Sequence, residues 1–248
     1  MRPTVIVIPC YNEEQRLDRK ALDALLAPPE MRLVLIDDGS TDGTLALLRE
    51  VGDRRPDRIE VLALEENSGK AEAVRRGLLQ ALRGECEYVG YADADFATPP
   101  KELIRLAGEI EDRGVDVVLG ARVALLGHDV QRSPFRHYLG RVFATLASLI
   151  LKLMVYDTQC GAKILAANET LREVLAEPFI SRWGFDVELI GRLTVAGATI
   201  HEVPLRRWVD VEGSKVGLRG MARTLIDLVR IRRALSRLRT EAAKGSSR

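Results

Sequence analysis

The chain predicts an α/β fold built on a mainly parallel sheet, and three observations carry that prediction. Short apolar runs alternate five times with stretches of helical periodicity. The runs are continuous rather than alternating, as expected for strands covered on both faces. Each run ends in a polar cluster, and in open sheets of this kind ligands sit at the carboxyl ends of the strands.

The elements follow in order. Residues 4–8 form a β-branched run closed by Pro9, and the polar turn Cys10-Tyr11-Asn12-Glu13-Glu14 comes after it. A helix then reaches Leu26 and stops before Pro28-Pro29. The second run, 32–36, ends in Asp37-Asp38-Gly39-Ser40, and Asp42 or Ser40 caps a helix over 44–51. A third strand covers 59–64, after which Asn67-Ser68-Gly69-Lys70 opens a helix to about Arg83. The fourth run, 87–91, delivers Asp93 and Asp95, and Pro99-Pro100 begins the next helix. A fifth strand over 115–119 ends in Gly120-Ala121-Arg122. Beyond it lie a long apolar helix candidate over 135–156 and a basic amphipathic helix over about 218–239.

Composition bounds the class. With 248 residues, 46% of them hydrophobic, the chain can bury a substantial core. We expect one catalytic domain over 1–217, the basic helix over 218–240 and a disordered tail over 241–248. Lys plus Arg (37) balances Asp plus Glu (36), so no overall field recruits nucleic acid. Three scattered cysteines, an odd number, argue against a disulfide framework and fit a reducing compartment. The first strand starts close to Met1, which leaves no room for a signal peptide, and the longest uncharged run, 142–151, is too short to span a bilayer. The expectation is a protein of the cytoplasm, peripheral on the cytoplasmic face of a membrane.

The chemistry centres on Asp93-Ala94-Asp95. Alternate residues of an extended segment point the same way, so two carboxylates one residue apart can share a hard divalent cation, with Ala94 leaving room for a ligand. A helix-capping turn would read the same in isolation. Lys70 sits where a helix disfavours a cation, so its placement calls for an anionic partner. No Gly-x-Gly-x-x-Gly follows the first strand and no Walker-type loop is present, which excludes a dinucleotide dehydrogenase and a P-loop enzyme.

Together these motifs resemble family 2 glycosyltransferases of the GT-A fold: Pro9 to Glu13, Asp37 to Ser40 with Asp42-Gly43-Thr44, Asn67 to Lys70, and Asp93-Ala94-Asp95. The resemblance implies nucleotide-sugar contacts from Pro9, Tyr11, Glu13, Ile36, Asp38, Lys70, Asp93 and Ala94. It also implies Mg²⁺ or Mn²⁺ held by Asp93 and Asp95. Four later motifs are similar to the dolichyl-phosphate β-glucosyltransferase branch. They are Gln131-Arg132-Ser133, Asp157 to Lys163, Arg182 to Leu189, and Glu212-Gly213-Ser214-Lys215. Ala97 stands where related mannosyltransferases often carry Gln.

The implied activity moves glucose from UDP-glucose to a polyprenyl phosphate with inversion. Asp95, Asp157, Asp186 and Arg122 are the catalytic candidates. Arg122, Arg132, Arg136, Ser214 and Lys215 are the candidates for the acceptor phosphate. A phosphate monoester is largely dianionic at neutral pH and needs no base, so Asp157 and Asp186 could orient the donor or an arginine instead. Another donor such as GDP-mannose or another UDP-sugar, a soluble hydroxyl acceptor with Asp186 as base, or a non-catalytic nucleotide-sugar-binding adaptor remain alternatives.

Overall fold

The structure is a computed structural model that describes residues 1–131, 142, 144–150, 155–209 and 218–245, with side chains in the last segment described over 226–244. Its centre is a seven-stranded sheet. In chain order the first half runs β1 (Thr4–Cys10), α1 (Arg19–Leu25), β2 (Met31–Asp37), α2 (Thr44–Asp53), β3 (Ile59–Ala63), α3 (Lys70–Ala81), β4 (Tyr88–Tyr91), α4 (Pro100–Arg113) and β5 (Val117–Ala121). A short β6 (Asp129–Gln131) and helical residues 144–150 precede β7 (Lys163–Ala166). The remainder is α5 (Glu169–Ala176), α6 (Phe185–Val195), β8 (Ile200–Pro204), β9 (Arg207–Val209) and α7 (Leu218–Gly245).

Local chemistry sets the helix ends. Asp18 caps α1 by accepting from Lys20 N at 2.9 Å, and Asn168 caps α5 by accepting from Leu171 N at 3.0 Å. Pro100 opens α4, and Gly114 closes it in the left-handed region at φ 61°. Asp42, expected as a cap for α2, does bond its first turn, accepting from Thr44 N at 3.0 Å.

The strand order is β3-β2-β1-β4-β7-β5-β8. From β1 the chain winds one way through β2 and β3, then returns to place β4 on the other side of β1. A crevice therefore opens between the carboxyl ends of β1 and β4, at the topological switch point. The strands alternate between two apolar layers. Val5, Val7, Val34, Ile36, Val117 and Leu119 face α3, α6 and α7; Ile6, Ile8, Leu33, Leu35 and Val118 face α1 and α4. Burial on both faces explains the continuous apolar runs.

One strand departs from the parallel expectation. β7 is antiparallel to both neighbours, pairing Lys163 with Tyr91 of β4 and with Leu119 of β5. An antiparallel strand begins where its parallel neighbours end, so the segment entering β7, residues 157–163, lies at the carboxyl ends of β4 and β5. A four-residue run opened by a lysine carries no strand signal in sequence.

The long helix expected over 135–156 is described only at 142 and 144–150, where it is helical; Val155 and Tyr156 are not helical. The C-terminal helix runs on through Gly245, past the expected start of a disordered tail, because Glu241, Ala242, Ala243 and Lys244 are strong helix formers. Its residues Leu228, Ile231 and Leu235 are buried against the sheet layer that includes α6.

That burial gives a direct test of whether the basic helix belongs to the domain. Ile231 is fully buried while Arg233 on the same helix is exposed. Ile231→Ala should cost about 3 kcal/mol and Arg233→Ala less than about 0.5 kcal/mol, read as urea midpoints at constant m-value. Equal, small effects would show that the helix packs only loosely.

Candidate active site

Two interlocked loops form the floor of the crevice. After β1, Asn12 adopts φ 53° and donates its backbone N–H to Ser40 Oγ at 3.1 Å, while its side-chain oxygen accepts from Thr41 N at 2.9 Å. Glu13 N donates to Thr44 Oγ1 at 2.8 Å. Gly43 lies so close to Glu14 that a Cβ there would come within 2.2 Å of Oε1. The spacing of the two motifs in sequence is thus a spacing of mutual hydrogen bonds. Pro9 and Tyr11 are half-buried at the crevice, Ile36 is in the core, and Glu13 is buried and held by Arg16 through two 2.8 Å contacts.

Asp38 ties this floor to the start of α3. Its carboxylate accepts from Ser68 N at 2.8 Å and Gly69 N at 2.9 Å. Burial raises its pKa despite those bonds. Gly69 takes φ 90°, and a Cβ there would meet Arg182 Nε at 2.6 Å, so the guanidinium packs directly on the turn. Arg182 also donates to Asn67 O at 3.1 Å.

Three carboxylate–cation pairs stand along the ends of β4, β5 and β7. Lys70 Nζ donates to Asp93 Oδ1. Arg122 binds Asp157 in a fork, Nε to Oδ2 at 2.6 Å and Nη2 to Oδ1 at 2.8 Å, and its guanidinium lies 5.3 Å from the Trp208 ring centroid. Lys163, almost wholly buried, donates to Asp186 Oδ1 at 2.6 Å and to Cys160 O at 2.6 Å. Tyr91 O–H donates to the same Asp186 oxygen. Glu202 anchors the Asp157 loop by accepting from Tyr156 N at 2.7 Å and Asp157 N at 2.6 Å.

The pairs sense one another. Burial pushes the Asp93 carboxyl up, but Lys70, with Lys163 and Arg122 nearby, outweighs it and holds the group below the usual carboxylate range. Asp95 is pushed the other way, by burial and then by the charge of Asp93, against one hydrogen bond from Ala97 N at 3.1 Å. Burial and the Asp186 charge raise Tyr91 well above its ordinary value, which keeps it a donor.

A divalent cation fits this donor set. Asp93 and Asp95 are both half-buried and close enough to repel, and among the described residues Asp95 has no cationic partner at hydrogen-bonding distance. Among the described residues no cluster of three or more His, Cys, Asp or Glu occurs, so two carboxylates would leave most of a cation's positions to oxygen ligands from elsewhere. Three buried polar atoms also lack a partner among the described residues: Asp37 Oδ1, Thr158 Oγ1 and Gln159 Nε2. All three belong to motifs at this end of the sheet, where a polar ligand would satisfy them. A separate depression of about 760 Å³ beneath β2 and β3, lined by Arg32, Arg58 and Gln80, contains none of the motif residues.

The structure thus brings Asp93, Ala94, Asp95, Lys70, Arg122, Asp157 and Asp186 to one end of the sheet, with Pro9 at the end of β1 and Tyr11, Glu13 and Asp38 on the adjoining loops. Arg132, Arg136, Ser214 and Lys215 lie outside the described residues. Lys163, Glu202, Trp208 and the orphaned Asp37 oxygen were missed by sequence reasoning; of these, only Asp37 and Lys163 lay within a motif, and nothing marked their contacts.

The sequence profile described as Glycosyl transferase family 2 matches residues 5–165. The chain belongs to glycosyl transferase family 2. Dolichyl-phosphate beta-glucosyltransferase of Dictyostelium discoideum is 32% identical over 243 residues, which covers 92% of this chain and 73% of that protein. The Drosophila melanogaster protein of the same name is 34% identical over 230 residues, covering 85% and 68%. Among solved structures, glucosyl-3-phosphoglycerate synthase from Mycobacterium tuberculosis, in complex with Mn²⁺, uridine diphosphate and phosphoglyceric acid, matches with a TM-score of 0.68. That match is 20% identical and covers 93% of this chain and 78% of that one, and it shows the GT-A fold in common with this family 2 member.

The uneven loading of the two acids predicts a trade of stability against cation binding. The charged form of Asp95 is disfavoured in the fold, so its penalty is full at neutral pH and fades as pH falls through its raised folded value toward the ordinary carboxyl range. Without added metal, Asp95→Asn should raise the melting temperature at pH 7 by about 2–4 °C, a gain of about 0.5–1 kcal/mol that shrinks in acid. Mn²⁺ should raise the wild-type melting temperature and leave the variant's unmoved. A variant less stable than wild type at neutral pH would contradict this account.

Proposed function

We propose that the protein transfers glucose from UDP-glucose to a polyprenyl phosphate of the dolichyl type, with Mg²⁺ or Mn²⁺ bound, giving a β-linked lipid-phosphate glucose. The carrying observation is the pair Asp93–Asp95, half-open at the switch-point crevice and flanked by Lys70 and the Arg122–Asp157 fork. Dolichyl-phosphate β-glucosyltransferase names on similar proteins support the donor sugar and the acceptor class.

Asp93 and Asp95 would hold the cation, which supplies charge neutralisation for the departing diphosphate. The protein's own residues do the rest. Pro9, Tyr11, Glu13 and Asp38 form the wall for the base and ribose, and Ile36 packs in the core behind them. Arg122, its plane set by Asp157 and Trp208, presents positive charge toward the phosphates. Arg132, Arg136, Ser214 and Lys215 complete the acceptor side on the strength of the motif resemblance. A dianionic lipid phosphate attacking in line behind the anomeric carbon needs orientation rather than deprotonation and inverts the centre.

Asp186 fits the orienting role better than that of a base. One of its oxygens already accepts from Lys163 and Tyr91, an arrangement that fixes the carboxylate in place. A soluble hydroxyl acceptor would need that carboxylate to take up a proton.

Contact with a membrane surface is part of the proposal. On α7, Arg230, Arg232, Arg233 and Arg237 are exposed beside Ile226 and Val229, while Val142, Leu146 and Leu149 present an exposed apolar row at helical spacing. Among the described residues no helix is long and apolar enough to cross a membrane. The contact would lie on the cytoplasmic face.

Incubation with labelled UDP-glucose, Mg²⁺ and a short polyprenyl phosphate should give butanol-extractable label. Asp95→Ala should lower the rate by at least about 10²-fold with the fold retained. Arg132→Ala should weaken use of the lipid phosphate about tenfold more than UDP binding. Label from GDP-mannose but not from UDP-glucose would replace the donor, and undiminished transfer by Asp95→Ala would remove the mechanism.

A further inference from the structure

Lys70 occupies a position that nucleotide binding alone does not explain. It opens α3, where the helix's partial positive charge disfavours a lysine, and no side chain caps that end. Its ammonium turns back to Asp93, and the side chain is only partly exposed, 30%. Asp93 is equally constrained: Gly161 backs onto its carboxylate so closely that a Cβ would come within 2.0 Å of Oδ2. One acid of the candidate cation pair is therefore neutralised from within the protein, while among the described residues its neighbour Asp95 accepts only from the Ala97 N–H.

We propose that Lys70 is an exchangeable counter-ion. It stands in for the divalent cation on Asp93 while the donor is absent, and it passes to the donor's diphosphate, at the α3 N-terminus, when a cation takes Asp93. This rests on the metal-assisted transfer reading above.

Charge conservation makes the exchange feasible. A divalent cation and a dianionic diphosphate add no net charge to the crevice, so one ion pair, Lys70 with Asp93, re-forms as two: cation with carboxylates, and ammonium with phosphate. A partly buried charge tolerates loss of its partner only when another replaces it in the same step. The unbranched lysine stem allows the ammonium to swing while α3 stays fixed. Cation and nucleotide must then favour each other. A cation alone has to evict Lys70 with no anion to receive it, and a nucleotide alone meets a lysine already engaged and two negative carboxylates. Gly161 has a part as a positioning residue, holding Asp93 still as its partner changes.

The test is Mn²⁺ binding, read by the EPR signal of free Mn²⁺, for wild type, Lys70→Met and Lys70→Gln, each with and without UDP. Thermal melts confirm that each variant is folded. In wild type, UDP should tighten Mn²⁺ binding at least about fivefold. Without UDP, both variants should bind Mn²⁺ about 3–10-fold more tightly than wild type, because the competitor for Asp93 is gone. With UDP, the mutual tightening should fall to less than about twofold in the variants. Tighter Mn²⁺ binding without UDP together with loss of the mutual tightening is the signature, since loss of an ordinary phosphate-binding lysine would leave Mn²⁺ alone unaffected. Unchanged or weaker Mn²⁺ binding by the folded variants, or independent binding of Mn²⁺ and UDP in wild type, would overturn the exchange. Absence of any Mn²⁺ binding by wild type with UDP present would instead remove the metal-assisted reading beneath it.

Discussion

The pairing of three carboxylates with cations from distant segments governs the catalytic end of this molecule. Asp93 takes Lys70, Asp157 takes Arg122 and Asp186 takes Lys163. A charge removed from water without a partner costs several kcal/mol, so none of these acids could sit in the crevice alone. The pairs bridge 23, 35 and 23 residues of sequence. Helix α3, the segment before β7 and helix α6 must therefore converge on the ends of β4 and β5 for the charges to be satisfied.

The topology meets that demand by one exception to its own rule. A wholly parallel sheet would bring the Asp157–Lys163 segment in at the opposite end of the strands. Running β7 backwards between β4 and β5 delivers it to the crevice instead, with Lys163 beside Tyr91. Glycine makes the close approach possible at Gly161, where a side chain would displace Asp93, and at Gly69, where the backbone is left-handed and Arg182 lies against it. The sites that look most tolerant in composition are the tightest in space.

Asp95 differs from its neighbours because it has no such partner among the described residues. Its raised pKa and single hydrogen bond mark a place where the fold holds a charge at its own expense, as functional sites often do. Among the described residues the buried Asp37 Oδ1 and the polar atoms of Thr158 and Gln159 also lack a hydrogen-bond partner. These unsatisfied groups gather at the carboxyl end of the sheet, whereas the depression under β2 and β3 contains no motif residue. Unmet electrostatic demand distinguishes the site.

Much of this was legible in the residues themselves. Continuous apolar runs gave β1 to β5 to within about two residues, because strands buried on both faces have no polar side to confuse the pattern. The acids after β4 and the turn before α3 were readable because short-range chemistry, the alternation of a strand and the dipole of a helix, dictates those residue types. Local sequence also required that Lys70 have an anion. Tertiary structure alone decided that the anion is Asp93, that Arg122 is committed to Asp157, and that Asp186 is shared by a lysine and a tyrosine. Those are meetings between segments far apart in sequence, set by which way each strand runs, and no local propensity records the direction of β7.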